Sequence, residues 1–139
     1  MTALNLLRLA DLFLDDVLAQ RAARLFTAES SSLRAYPTAF PVMLSALDWL
    51  LDGGKEVALV GPLEDPGLQA LLAAMRGAYL PNAVVAAGVP GKTALPLLQD
   101  KPLLRGKPTA YVCQNRVCQL PTNDPAVAAR QVAAPHPLD

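Results

Sequence analysis

The spacing of apolar residues changes at Gly53-Gly54, and this change restricts the fold more than any other feature of the chain. Before this point apolar residues recur every three or four positions, which is typical of amphipathic helices. After it they form short continuous runs bounded by glycine and proline, which is typical of buried strands. We therefore predict a helical segment over residues 1–52, a small α/β unit over 53–132 and a loose tail over 133–139.

The helical segment is predicted to contain three helices. The first carries an apolar stripe over residues 4–14, and the second begins after an N-cap at Asp15. The third runs over about residues 42–51 and ends at Gly53. Apolar residues cover nearly the whole circumference of this third helix, so we expect protein on most of its sides.

The α/β unit begins with a strand–helix–strand pattern. Continuous apolar runs at residues 57–60 and 83–87 predict two buried strands. Between them, Asp65 followed by Pro66 is the pattern of an N-cap with proline at the first helical position. Two strands joined by a helix in this way predict a right-handed parallel crossover.

Residues 109–120 alternate between apolar and polar and predict a β-hairpin that turns at Asn115. A last helix is predicted after Asp124, which repeats the N-cap pattern. The fold class is therefore α/β or α+β. An N-terminal helical segment packs on a mixed sheet of three to four strands, with one parallel βαβ unit and a C-terminal hairpin.

Composition excludes several classes of protein. Hydrophobic residues make up 53% of the chain, which supplies a core and excludes intrinsic disorder. Lys plus Arg and Asp plus Glu number 12 each, and this zero net charge disfavours binding to nucleic acid or anionic membranes. Asp11, Asp15 and Asp16 stand where a secretory signal would stay apolar, so the expected compartment is the cytoplasm. No apolar run approaches the ~20 residues of a membrane span.

Cys113 and Cys118 are too few for a disulfide scaffold. In the predicted hairpin they face each other across the strands, at a separation that a disulfide tolerates. Arg116 is the only nearby cation that could lower a thiol pKa, so we favour two reduced thiols over a reversible disulfide. His136 is the only histidine, which argues against a metal site and against histidine-based catalysis. No cofactor is expected.

The segment after the second strand fits a relaxed phosphate-loop pattern. Its candidate residues are Gly88, Gly91, Lys92 and Thr93. Pro90 removes one of the amides that would hold a phosphate, and Pro96 weakens a short helix predicted over residues 93–99. An exposed Gly/Pro loop is therefore the favoured interpretation.

A family resemblance covers nearly the whole chain. Its most specific part is the segment GKPTAYVCQN over residues 106–115, followed by Cys118-Gln119; Tyr36-Pro37 and residues 56–61 also match. These segments resemble the C-terminus of the thioredoxin-domain-containing proteins of the spermatogenesis-associated type. The resemblance implies an N-terminal thioredoxin-like domain followed by an (α/α) barrel of the six-hairpin glycosidase type. It also implies that this chain begins inside that barrel.

The resemblance implies a C-terminal module that is non-catalytic by itself and serves as a scaffold or cavity wall. One alternative is a part of a carbohydrate-modifying enzyme, in which Tyr36, Pro37 and Phe40 line a cavity for a sugar ligand. Another is a thiol redox module that uses Cys113 and Cys118. Because helices of the barrel are missing, we expect the helical face either to self-associate or to bind those upstream helices.

Overall fold

The computed structural model describes residues 2–134, which form a four-stranded sheet with helices on both faces. The helices are α1 (Thr2–Phe13), α2 (Asp16–Ala28), α3 (Ser30–Ala35), α4 (Pro41–Asp52), α5 (Pro66–Arg76) and α6 (Pro125–Ala133). The strands are β1 (Lys55–Val60), β2 (Ala83–Gly88), β3 (Thr109–Gln114) and β4 (Val117–Cys118). This architecture confirms the predicted fold class.

The central strand β1 organises the sheet, whose order is β2-β1-β3-β4. It pairs in parallel with β2 and antiparallel with β3, so the predicted parallel strand–helix–strand unit is confirmed. Alternate side chains of β1 enter two cores: Ala58 and Val60 face α1, α2 and α4, whereas Val57 and Leu59 face α5 and α6. Burial on both faces explains the continuous apolar run.

Three aspartates begin helices where the sequence predicts them. The side chains of Asp15, Asp65 and Asp124 each accept a hydrogen bond of 2.8 Å from the amide two residues ahead, at the start of α2, α5 and α6. Such a bond satisfies one of the amides that the first helical turn leaves without a partner. Gly53 ends α4 with a φ of 77°, a conformation that side chains with a Cβ rarely adopt.

The hairpin between β3 and β4 has a two-residue turn at Asn115 and Arg116, as predicted. Both residues have positive φ angles, 50° and 65°, which match the turn type that follows the natural twist of paired strands. The turn places Cys113 directly opposite Cys118. It therefore fixes both the position of the two sulfurs and the direction in which Arg116 leaves the sheet.

Two local predictions differ from the structure. Residues 30–35 form the additional short helix α3, and Pro96–Leu98 forms a single 3-10 turn in place of the predicted helix over 93–99. Proline at the first position of that turn leaves Leu97 and Leu98 buried without continuing the helix.

The predicted loose tail, residues 133–139, overlaps α6 by one residue, because α6 ends at Ala133. The Lys55 ammonium donates to the carbonyl oxygens of Val132 and Ala134 and thereby binds this end of α6 to β1. The rest of the predicted tail, including His136, lies outside the described residues. Within residues 2–134, none of the helices is both long and apolar enough to cross a bilayer.

Candidate functional site

The helices α1, α2 and α4 form a helical layer on one face of the sheet. A polar cleft lies between this helical layer and the hairpin turn, and it is the candidate site. Its cavity has a volume of about 240 Å³. The lining residues come from α1, α2, α4 and β1, from the link between α4 and β1, and from the hairpin turn: Leu7, Ala10, Asp11, Asp16, Ala19, Trp49, Leu50, Gly53, Gly54, Glu56, Asn115 and Arg116. We call it the carboxylate cleft, because three of these residues are acidic.

Trp49 and Asp11 form the helical wall of the cleft. The indole is only 2% exposed, and its Nε1 donates a hydrogen bond of 2.9 Å to Oδ2 of Asp11. Burial raises the pKa of the Asp11 carboxyl, whereas the Trp49 hydrogen bond and the Arg116 charge act in the opposite direction. The Arg8 guanidinium lies 5.7 Å from the centre of the indole ring, at the distance of a cation–π contact.

Glu56 and Arg116 form the opposite wall. Glu56 belongs to β1 and is 4% exposed, an unusual burial for a carboxylate. Its Oε1 lies 3.6 Å from Nε of Arg116, whose Nη2 also contacts Oδ1 of Asp16 at 2.8 Å. Arg116 therefore bridges a buried carboxylate on the sheet and an exposed one at the start of α2.

Burial is the main cause that raises the pKa of Glu56 above its ordinary value of 4.5. The negative charges of Asp11 and Asp16 raise it further, while Arg116 and Lys101 lower it. Within residues 2–134 the acidic and cysteine side chains do not come together in a group that could hold a metal ion. The arrangement suits proton binding and charge recognition.

Cys113 and Cys118 lie beside the cleft and are joined by a disulfide. The predicted facing arrangement is confirmed, but the preference for two reduced thiols is wrong. The tight turn sets the two residues at directly opposite positions of the hairpin, with their Cα atoms 3.8 Å apart. Cys113 is buried at 2% exposure, whereas Cys118 is exposed.

Gln114 fixes the hairpin against the helical layer. Its Nε2 donates to the carbonyl oxygens of Asp52 at 3.0 Å and Gly53 at 2.8 Å, the residues at which α4 ends. These bonds satisfy carbonyls that the last helical turn leaves open. The position of Arg116 in the cleft is therefore coupled to the end of the helix that carries Trp49.

Comparison with curated proteins identifies relatives over most of the chain. Rat spermatogenesis-associated protein 20 is 31% identical over 129 residues, 89% of this chain, and the human protein is 34% identical over 106 residues, 73% of this chain. The chain belongs to the spermatogenesis-associated protein 20 family. The predicted family is thus confirmed, and the domain arrangement implied by the resemblance stays a prediction.

This member of the spermatogenesis-associated protein 20 family spans only part of the length of the proteins it matches: 16% of the rat protein and 14% of the human protein. No protein-family model matches the chain. No solved structure matches it significantly.

The structure does not bring the predicted cavity-lining residues into the carboxylate cleft. Tyr36 and Pro37 are exposed and Phe40 is half-buried, around the turn that precedes α4. That they line a cavity in a longer protein stays a prediction.

The phosphate-loop candidates lie at the end of β2 and in the loop that follows it. Gly88 ends the strand, Gly91 turns the chain with a φ of 73°, and Lys92 is exposed. Thr93 Oγ1 accepts a hydrogen bond of 3.1 Å from the Leu95 amide, so the hydroxyl is used within the loop. In the described part of the chain this loop leads into a 3-10 turn, and the α-helix that would direct its dipole at a phosphate is absent.

Sequence reasoning missed the carboxylate cleft, although it noted some of its members for other reasons. Neither Asp11 nor Glu56 is predicted from the sequence as a site residue. A signal was nevertheless present, because Glu56 directly precedes the fully apolar run of a buried strand. Charged residues at such positions are rarely buried unless they are paired.

The raised pKa of Glu56 predicts how the stability of this family member depends on pH. Above pH 4.5 the unfolded chain ionises Glu56 more readily than the folded chain, so stability falls as pH rises toward the folded pKa. Glu56→Gln removes this loss. The free energy of unfolding of the variant relative to wild type should therefore increase with pH across that window and then level off.

Urea denaturation across this pH range measures the difference. The control is Glu64→Gln, which removes the charge of an exposed glutamate. A Glu56→Gln difference that stays flat or decreases with pH would contradict the burial argument.

Proposed function

We propose that this chain is a structural module of a longer protein, non-catalytic by itself, whose helical layer packs against further helices. In that assembly the carboxylate cleft forms part of the wall of a small-molecule site. The observation that carries the proposal is a set of exposed apolar side chains on the helical layer. This outer helical surface comprises Leu9, Phe13, Val17, Val42, Leu44 and Leu51.

In helix α4 the apolar sequence and the small number of buried residues differ most clearly. Its sequence is apolar around most of its circumference, but only Ala46 and Trp49 are buried. Leu51 remains 78% exposed. Because burying apolar surface stabilises by roughly 25 cal/mol per Å², covering this helix would add substantially to stability. Large apolar surfaces on soluble chains commonly mark sites of protein contact.

The length comparison supports the same proposal. The chain spans 14–16% of the relatives it matches, so those proteins have ample sequence from which further helices could come.

The charges of the cleft also suit a supporting role. Arg116 is engaged by Asp16 and Glu56, while Asp11 is engaged by Trp49, so these groups hold one another in position.

The solution mass of the chain tests the proposal. When its natural partner surface is missing, the outer helical surface should drive self-association, and light scattering at tens of micromolar should give a mass above 14.7 kDa. The double variant Leu9→Glu/Phe13→Glu should shift the population toward the monomer, because both side chains lie on the exposed side of α1.

The matched control is Leu63→Glu, which places the same charge at an exposed leucine of the loop before α5. It should leave the mass unchanged. A wild-type chain that remains a monodisperse monomer would contradict the proposal, as would equal effects of the control and the double variant.

A further inference from the structure

One carboxyl group and the two cysteines of the disulfide lie in one row across the sheet. Glu56 on β1 is the register partner of Cys113 on β3, and Cys113 is the register partner of Cys118 on β4. Directly paired residues on adjacent strands place their side chains on the same face. The row therefore sets a buried carboxyl group beside a disulfide, on the face that α1 and α4 cover.

The two sulfurs differ in access to solvent. Cys118 lies in the exposed edge strand, whereas Cys113 is 2% exposed beneath the helical layer. Thiol–disulfide exchange requires a thiolate to approach one sulfur while the other leaves. An external thiolate can reach Cys118, so the sulfur that leaves is that of Cys113, beside Glu56.

We propose that Cys113 and Cys118 form a thiol–disulfide exchange site, in which an external thiol attacks Cys118 and Glu56 supplies a proton to the departing Cys113 sulfur. This inference goes beyond the structural role proposed above and does not depend on it.

The exchange is balanced in two steps. The external thiolate forms a bond to Cys118 Sγ, the disulfide bond breaks, and the electron pair leaves on Cys113 Sγ, which takes the proton of the Glu56 carboxyl. A second external thiolate then attacks the external sulfur of the mixed disulfide and releases Cys118 as a thiolate. The protein disulfide gains two electrons, and two external thiols are oxidised to one disulfide.

The charges around Glu56 suit this proton transfer. Asp11 from α1, Asp16 from α2, Arg116 from the hairpin turn and Lys101 from the segment before β3 all act on its carboxyl. Burial and the two acids raise the pKa of Glu56, which favours the protonated form that can donate. After the transfer, Arg116 at 3.6 Å stabilises the carboxylate that remains.

The rate of reduction by dithiothreitol tests the role of Glu56 through its pH profile. With rates normalised to the dithiothreitol thiolate, Glu56→Gln should slow reduction about tenfold or more at the acid end of the pH profile, where the largest share of the wild-type carboxyl is protonated and can donate. As the pH rises the difference should shrink or reverse, because an ionised Glu56 repels the departing thiolate. The exposed Glu64→Gln variant should follow wild type throughout.

Alkylation and mass measurement define the starting state. The oxidised protein should contain no free thiol, and the reduced protein two. Two free thiols after mild oxidation, or a Glu56→Gln profile parallel to that of wild type, would overturn the proposal.

Single cysteine variants test the direction of attack and do not depend on how the Glu56 variant folds. In the folded Cys113→Ser protein, Cys118 should form a mixed disulfide with oxidised glutathione. In folded Cys118→Ser, Cys113 should react at least about tenfold more slowly, because the reagent reacts with exposed thiolates. Equal rates, or a faster Cys113, would overturn the assignment of Cys118 as the attacked sulfur.

Discussion

Trp49→Ala is expected to lower the free energy of unfolding by about 3–5 kcal/mol. Trp49 is the largest fully buried side chain and lies in the core between the helical layer and the sheet. Its removal leaves a cavity there and deprives the partly buried Asp11 carboxylate of its 2.9 Å hydrogen bond. Because the free energy of unfolding of a domain is only about 5–15 kcal/mol in total, this single change removes a large part of that free energy.

Urea denaturation followed by far-UV circular dichroism measures the loss without depending on the tryptophan signal. The control is Leu63→Ala in the loop before α5, whose side chain is 52% exposed and lies outside the outer helical surface; this change should alter stability by no more than about 0.5 kcal/mol. A Trp49→Ala loss below about 1 kcal/mol would contradict the burial of this side chain.

Gly54→Ala is expected to lower stability by about 1–3 kcal/mol although it adds a single methyl group. A Cβ at this position would overlap both the indole Nε1 of Trp49 and Oδ2 of Asp11. Either the Trp49–Asp11 pair must separate or β1 must shift at its start. Gly54 is therefore required by the close approach of two side chains to its backbone.

Gly77→Ala provides the matched control, because the same methyl group makes only ordinary van der Waals contacts there. Gly77 follows α5 with φ −78° and ψ −12°, and the nearest atom to an added Cβ is a backbone oxygen at 3.5 Å. This change should be neutral or stabilise by about 0.4–1 kcal/mol. Thermal unfolding of both variants gives the comparison. Equal shifts in Tm would mean that the start of β1 can adjust around the methyl group.

Most of the fold could be predicted because its signals are local. An aspartate followed by a proline predicts the start of α5 and of α6, and a continuous apolar run predicts β1. The short helix α3 escaped prediction because its N-cap residue, Glu29, makes no side-chain capping bond. Glutamate is also not one of the residue types that typically mark an N-cap, so the sequence carries no helix-start signal at this position.

The carboxylate cleft could not be predicted, because its residues are distant in sequence. Arg116 contacts an aspartate 100 positions earlier, and Trp49 contacts one 38 positions earlier. Neither pair has a periodic pattern that a local window could detect. The facing cysteines were predictable because their spacing within one hairpin is local, whereas the choice between thiols and disulfide was not.

The sheet order has a consequence for how the chain acquires its structure during synthesis. β1 can pair with β2 only once residues 83–88 have left the ribosome, and its other edge stays open until residues 109–114 follow. An apolar strand with an open edge is a template for pairing with another chain. The nascent protein therefore passes through a period in which its most buried segment is the one most in need of a chaperone.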